Sequence, residues 1–341
     1  MKLITIEKNQ SGQRLDKYLS KQLPNAGMSF IYKMLRKKNI TLNQKKATGK
    51  ELLKLGDQVS FFFSEETFNK FAGQTEKQNS EVRKFQLTRE QIRRFESRIL
   101  FRNSEVILLN KPAGLLSQKA QETDHSINEE LIGFCLATHI ISEEEFRTYH
   151  PSVCNRLDRN TSGIILAGIS LHGSQILSKL IKERQIEKWY TTIVAGNLQG
   201  SMKIDGYLKK NKRNNKVEIF QTNVPESSHI MTEYHSLASN GRYTLLAVKL
   251  ITGKPHQIRA HLAAMGAPII GDSKYGDSKT NEILKRKYHL HHQVLHARKV
   301  VFPAQCELEQ LAGRTIVAPY PEQMQKIMEE LSLWEPGSQE G

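Results

Sequence analysis

The sequence predicts an α+β protein in two parts, a small N-terminal unit of two helices and a small sheet followed by a larger mixed domain. Three observations predict it. The first 64 residues hold two helical patterns and two short strand patterns; residues 65–98 turn polar; and from Ile99 onward strand-like runs interleave with helical ones. At 341 residues the chain is also too long for one average domain.

In chain order, Leu15, Tyr18, Leu19 and Leu23 recur at helical spacing, and Pro24 to Gly27 break the pattern. Ser29 stands where it can cap a second helix that buries Ile31, Met34 and Leu35. Two β patterns follow, Ile40 to Leu42 and Gln58 to Phe63, with a Gly56-Asp57 turn before the latter. The stretch 65–98, with Asn69, Lys70 and Gly73 to Ser80, offers little to bury and is expected as a polar linker. Beyond it, strand-like runs fall at Val106 to Leu109, Gly163 to Ala167, Thr191 to Val194 and Tyr243 to Leu250, with helical patterns near 125–138, 170–184 and 256–265. The expected division is 1–64, 65–98, 99–330 and a tail, 331–341.

Hydrophobic residues at 38% and charged residues at 25% fit a soluble globular chain rather than a disordered one. Lys and Arg outnumber Asp and Glu by 50 to 35, a formal charge of +15, so the summed field draws polyanions such as nucleic acid. Cys135, Cys154 and Cys306 are widely separated and lack CxxC spacing, which argues against a disulfide framework or structural zinc and for a reducing, cytoplasmic setting. The opening MKLITIEKNQ lacks the apolar core of a signal peptide, and no apolar run approaches the ~18 residues of a membrane span. Membrane residence is not expected.

Between Ser29 and Lys50 seven residues are basic (Lys33, Arg36, Lys37, Lys38, Lys45, Lys46 and Lys50) and none is acidic. Such a surface can track phosphates, although a solvated helix face gives the same pattern. Aromatic interleaving is slight, with Tyr32 the candidate, which favours backbone and shape recognition over base stacking. This region resembles the alpha-L RNA-binding domain, first known from a ribosomal small-subunit protein. The match runs through Gln13-Arg14-Leu15-Asp16-Lys17-Tyr18-Leu19, the basic helix, Asn39 to Asn43, and Leu55-Gly56-Asp57-Gln58-Val59. The resemblance implies RNA contacts by Lys33, Arg36, Lys37 and Lys38.

The segment Asn155-Arg156-Leu157-Asp158-Arg159-Asn160-Thr161-Ser162-Gly163 sets one acid between two arginines ahead of a β-like run. Guanidinium groups favour the ionised carboxylate and remain available for phosphates; on spacing alone, a structural ion pair in a turn reads as well or better. The segment resembles the signature of the RluA-type RNA pseudouridine synthases, usually His-Arg-Leu-Asp followed two residues later by Thr-Ser-Gly. Asn155 stands in place of the usual His. Further segments match that family in order: Asn110-Lys111-Pro112-Ala113-Gly114, Lys188-Trp189-Tyr190, Thr252-Gly253-Lys254-Pro255-His256-Gln257-Ile258-Arg259, Gly271-Asp272-Ser273-Lys274-Tyr275-Gly276 and Leu295-His296-Ala297. Pro255 replaces a usual Thr.

The resemblance implies a mixed, mainly antiparallel catalytic sheet and isomerisation of uridine to pseudouridine in structured RNA. It assigns Asp158 as the catalytic carboxylate, Tyr190 as the pocket tyrosine and Arg259 as the partner of Asp158. Arg156, by the same resemblance, fills the gap left by a uridine turned out of its stack. His256 and Gln257 can orient the pair or the RNA backbone, or serve only as a helix cap or surface contact. By helical pattern Arg259 points off the stripe of Ile258, Leu262 and Met265. The basic run Lys209 to Lys216 is expected on a loop near the RNA.

No metal and no cofactor is implied, and a monomer is expected. Large-subunit ribosomal RNA is the favoured substrate. The alternatives are a transfer RNA substrate, or a non-catalytic RNA-binding or ribosome-assembly role, which the set Asp158, Tyr190 and Arg259 argues against. A metal-dependent hydrolase built on His289, His291, His292 and His296 lacks accompanying acids.

Overall fold

The computed structural model describes residues 1–73, 82–211 and 216–334. It divides into two compact units, the first made of Met1–Ile107, Ile127–Cys154 and Leu166–Ser178, the second of Leu108–Ser126, Asn155–Ile165 and Lys179 onward.

In the first unit a four-stranded antiparallel sheet runs in the order Lys2–Thr5, Gln58–Phe61, Ile40–Leu42, Lys45–Lys46. Helices Leu15–Gln22 and Met28–Arg36 pack on it: Leu15, Tyr18, Leu19, Ile31 and Leu35 join Ile40, Val59 and Phe61 in one buried cluster. Each such fully buried side chain contributes about 1.5–3 kcal/mol. The second helix begins one residue before Ser29, because Gly27 takes the extended N-cap conformation and its carbonyl accepts from Phe30. Strand Lys2–Thr5 has no alternating pattern to read, since three of its four residues are exposed at the sheet edge.

The stretch expected as a polar linker carries two helices, Glu65–Ala72 and Arg89–Glu96, on either side of residues 74–81, which lie outside the described residues. Each is capped by a hydroxyl that accepts from a first-turn N–H, Ser64 from Thr67 and Thr88 from Gln91. Each also has one buried anchor: Phe68 enters the N-terminal cluster, and Phe95 stacks on Phe134 at 4.7 Å. Two caps and two aromatics suffice where the composition is otherwise polar.

The second unit is built on a large mixed sheet. Its strands run in the order Lys216–Phe220, Ser201–Asn211, Ser228–Ser239, Tyr243–Leu250, Glu187–Ala195, Leu295–Val301, with residues 162–165 beside the last. The pairs from Lys216–Phe220 through to Leu295–Val301 are antiparallel, and Leu295–Val301 lies parallel to Ser162–Gly168. This is the mainly antiparallel arrangement expected. The described part of the basic run lies in strands, however: Lys209 and Lys210 belong to one strand and Lys216 to its antiparallel partner, held in register by Tyr207 opposite Phe220 and Leu208 opposite Ile219. Residues 212–215 of that run lie outside the described residues.

Helix Gln257–Ala264 departs from the amphipathic reading. Every residue from Gln257 to Leu262 is buried, Arg259 included, so the arginine is drawn inward by its ion pairs rather than turned to solvent. The C-terminal helix Glu322–Glu330 packs Met324, Ile327 and Met328 into a cluster that also takes Leu333, so the tail begins as folded chain; residues 335–341 lie outside the described residues.

Candidate active site

Asp158 sits in the loop that leads into strand Ser162–Gly168, its side chain 28% exposed. The loop is fastened on both sides of it. Leu157 N–H donates to the Ser117 hydroxyl and Leu157 C=O accepts from it, both at 2.9 Å. On the other side the Arg159 carbonyl accepts from Gly114 N–H and from the Lys111 ammonium, each at 3.0 Å. Lys111 is fully buried, and its charge is solvated by two more carbonyls, those of Pro112 and Leu115. A turn closes behind the carboxylate through Thr161 N–H to Asp158 C=O.

Gly163 is required where the loop enters the sheet. Its φ is +109°, and a Cβ would stand 2.3 Å from the Ala297 carbonyl. Asn155, where the family pattern has His, donates to the Ile164 carbonyl at 3.3 Å and so ties the loop start to the strand that follows.

Arg259 is the electrostatic centre. Its Nη1 donates to Asp158 Oδ2 at 2.8 Å, while Nε and Nη2 donate to the two oxygens of Asp272 at 2.7 and 2.9 Å. The two carboxylates raise the guanidinium pKa further, against the opposing effect of burial. Asp272 is buried, which alone would raise its pKa. The Arg259 pair, with N–H donors from Lys274 and Tyr275, outweighs burial and holds it below the usual carboxylate value.

His256 faces the same carboxylate. Its Nε2 lies 3.9 Å from Asp158 Oδ2, and its Nδ1 lies 2.9 Å from the Tyr275 hydroxyl. Burial lowers its pKa, with Arg259 and Lys274 adding to the effect and Asp158 opposing it. Lys254 to Gln257 form a tight turn closed by Gln257 N–H to Lys254 C=O, with Pro255 and a left-handed His256 (φ +56°) at its centre. Proline first and a positive φ second are what a type II turn demands, which gives Pro255 a physical role here.

Tyr190 lies on strand Glu187–Ala195, paired with Val248 and buried. Burial, with the nearby Asp158 charge, pushes its phenol pKa up, so the ring stays neutral and protonated. Arg156 and Arg159 are exposed beside the carboxylate, and Arg159 lies 3.5 Å from Asp124. Gln257 is a correction to the expected RNA contacts. It is buried, its Oε1 accepts from Thr252 and Lys254, and its Nε2 donates to Met231 and Thr232, so it pins the helix start. In the first unit Lys33, Arg36, Lys37 and Lys38 are all exposed, whereas the Tyr32 hydroxyl donates to buried Asp16.

The structure thus brings Asp158, Arg259, His256 and Tyr190 into one unit, and adds Asp272, Tyr275, Lys111 and Ser117. Asp272, Tyr275 and Lys111 stand inside matched segments without a sequence signal of their own; only an acid two residues before a lysine and a Lys-Pro pair hinted at them. Nothing local marks Ser117. Among the described residues no cluster of three His, Cys, Asp or Glu is arranged to hold a metal.

Residues 105–264 match the family model described as RNA pseudouridylate synthase. The chain carries an RNA pseudouridine synthase domain. Among similar proteins, an uncharacterized RNA pseudouridine synthase of Mycoplasma genitalium is 29% identical over 87% of this chain and 88% of its own. Ribosomal large subunit pseudouridine synthase C of Buchnera aphidicola is 27% identical over 88% of each chain. Ribosomal large subunit pseudouridine synthase D of Borreliella burgdorferi is 33% identical over 52% of this chain and 54% of its own. The solved structure titled human RNA pseudouridylate synthase domain containing 4 shares the fold, with a TM-score of 0.58 at 22% identity, covering 72% of this chain and 97% of that one.

Proposed function

We propose that this pseudouridine synthase modifies large-subunit ribosomal RNA, with Asp158 as the reacting carboxylate. The observation that carries the assignment is the asymmetry of that carboxylate. Arg259 binds Oδ2, His256 faces Oδ2, and Oδ1 has no hydrogen-bond partner among the described residues. One oxygen is anchored and the other is presented.

The reaction breaks the bond from uracil N1 to ribose C1′, turns the base, and joins C5 to the same carbon, the C5 proton being lost and N1 protonated. It needs a reacting carboxylate, a pocket that retains the base, and groups that place sugar and phosphates. Oδ1 supplies the first. Tyr190, neutral and buried beside Asp158, offers the uracil a ring face and a hydroxyl. Exposed Arg156 is placed to fill the gap left by the displaced uridine. The four exposed cations Lys33, Arg36, Lys37 and Lys38 track phosphates from an N-terminal RNA-binding domain of residues 1–64. The names of the C and D relatives favour large-subunit RNA over transfer RNA.

Mapping pseudouridine in RNA from cells with the parent protein and with Asp158→Asn tests both parts. Large-subunit sites lost in the variant support the proposal; sites lost only from transfer RNA overturn the substrate, and unchanged sites overturn the carboxylate.

A further inference from the structure

We infer that Tyr275 is a positioning residue that fixes the tautomer of His256, so that the Nε2 proton of the imidazole faces Asp158 Oδ2 while Oδ1 faces the substrate. The inference deepens the reading of Asp158 as the reacting carboxylate and rests on it.

Val217 N–H can only donate, and it donates to the Tyr275 oxygen at 2.8 Å. That leaves the phenol's own proton to be directed, and the nitrogen at 2.9 Å is His256 Nδ1. An Nδ1 that accepts is unprotonated, so neutral imidazole carries its proton on Nε2, the atom 3.9 Å from Asp158 Oδ2. The Tyr275 hydrogen bond selects this tautomer, and the Nε2 proton then faces Oδ2 from beyond hydrogen-bond reach.

The backbone supports the same end. His256 is held at φ +56°, a region few non-glycine residues occupy, by the turn that Gln257 closes from four hydrogen bonds. The turn aims the ring, and Tyr275 sets its proton. Val217 lies in the strand Lys216–Phe220, directly after the basic run, so the carboxylate is linked to that strand through Tyr275 and His256.

The test is a long-range proton–nitrogen correlation spectrum of the 15N-labelled full chain at pH 8, with the His256 signals assigned by their absence in His256→Gln. The expected pattern is a bare Nδ1 and a protonated Nε2, and in Tyr275→Phe a shift of the proton toward Nδ1. A protonated Nδ1 in the parent overturns the inference. So does an unchanged pattern in Tyr275→Phe, provided its circular dichroism matches the parent's. On an unmodified large-subunit ribosomal RNA transcript, Tyr275→Phe should lower kcat about tenfold and leave KM within about twofold; loss confined to KM assigns Tyr275 to RNA binding instead. Asp158→Asn is run alongside on the same transcript. Product from that variant at the parent rate sinks the carboxylate assignment, whereas the nitrogen spectrum judges the tautomer by itself.

Discussion

Asp272 takes two of the three hydrogen bonds that Arg259 donates, leaving Asp158 the third. The buried carboxylate of Asp272 anchors the guanidinium plane, and the plane then presents one N–H to the partly buried carboxylate of Asp158. Arg259→Lys keeps the charge and loses the fork, so single-turnover pseudouridine formation should fall about 10–100-fold, while Arg259→Ala should leave little product. Equal rates for both variants would show that charge without the fork contributes nothing, and a parent-like Lys variant would show that charge alone matters. Asp272→Ala strands a buried cation and should cost about 3–5 kcal/mol in chemical unfolding.

Much of this site is legible because short ordered segments carry its chemistry, and Arg-Leu-Asp with Thr-Ser-Gly marks the loop through its family resemblance, since spacing alone reads as well as a structural ion pair. What was not legible depends on non-local register. The helical pattern sets Arg259 off the apolar stripe, but every residue from Gln257 to Leu262 is buried, and period alone cannot tell an inward arginine with two carboxylate partners from a solvated one. Strand Ser228–Ser239 alternates Ile230, Thr232 and Tyr234 inward, yet the buried Thr232 looks polar in sequence and breaks the visible pattern. Helices 65–72 and 89–96 escaped notice because each rests on a single buried aromatic and a cap.

Stability should fall as pH drops from 7 toward 5. Burial lowers the pKa of His261 to about 4 and of His296 to about 4, and both side chains are enclosed. Below the ordinary value of about 6.5, the unfolded chain takes up protons that the folded rings refuse, so stability is full above that pH and is lost down to about 4. Each ring should account for about 2 kcal/mol between pH 7 and 5. His296 accepts from or donates to Ser162 at 2.8 Å, and Gln at that position can keep the contact without titrating. Urea unfolding of His296→Gln should therefore show a shallower pH dependence; a parent-like slope refutes the assignment.

The exposed cations of the first unit should be read in salt. Replacing Lys33, Arg36, Lys37 and Lys38 with Gln leaves the buried face of helix Met28–Arg36 intact, since Ile31, Met34 and Leu35 form it. If all four meet phosphates, the slope of log affinity against log salt should shrink by about 3–4. Turnover at saturating RNA should stay near the parent value. An unchanged slope would place the RNA path elsewhere.

Ser117 should matter to Asp158 without approaching the substrate. Its hydroxyl accepts from Leu157 N–H and donates to Leu157 C=O, so one side chain satisfies both backbone groups of the residue before the carboxylate. Ser117 is buried, and Ser117→Ala leaves both groups unpaired away from water, at a cost of about 2–4 kcal/mol. Lys111 and Gly114 still hold the Arg159 side, so the loop should loosen at one end only. The expected result is a lower kcat with little change in RNA affinity, because the carboxylate samples positions from which Oδ1 misses the sugar. Ser117→Thr keeps the hydroxyl and should recover part of the activity that Ala loses. Equal rates for Ala and the parent, measured where both are fully folded, would mean that Lys111 and Gly114 alone set the position of Asp158.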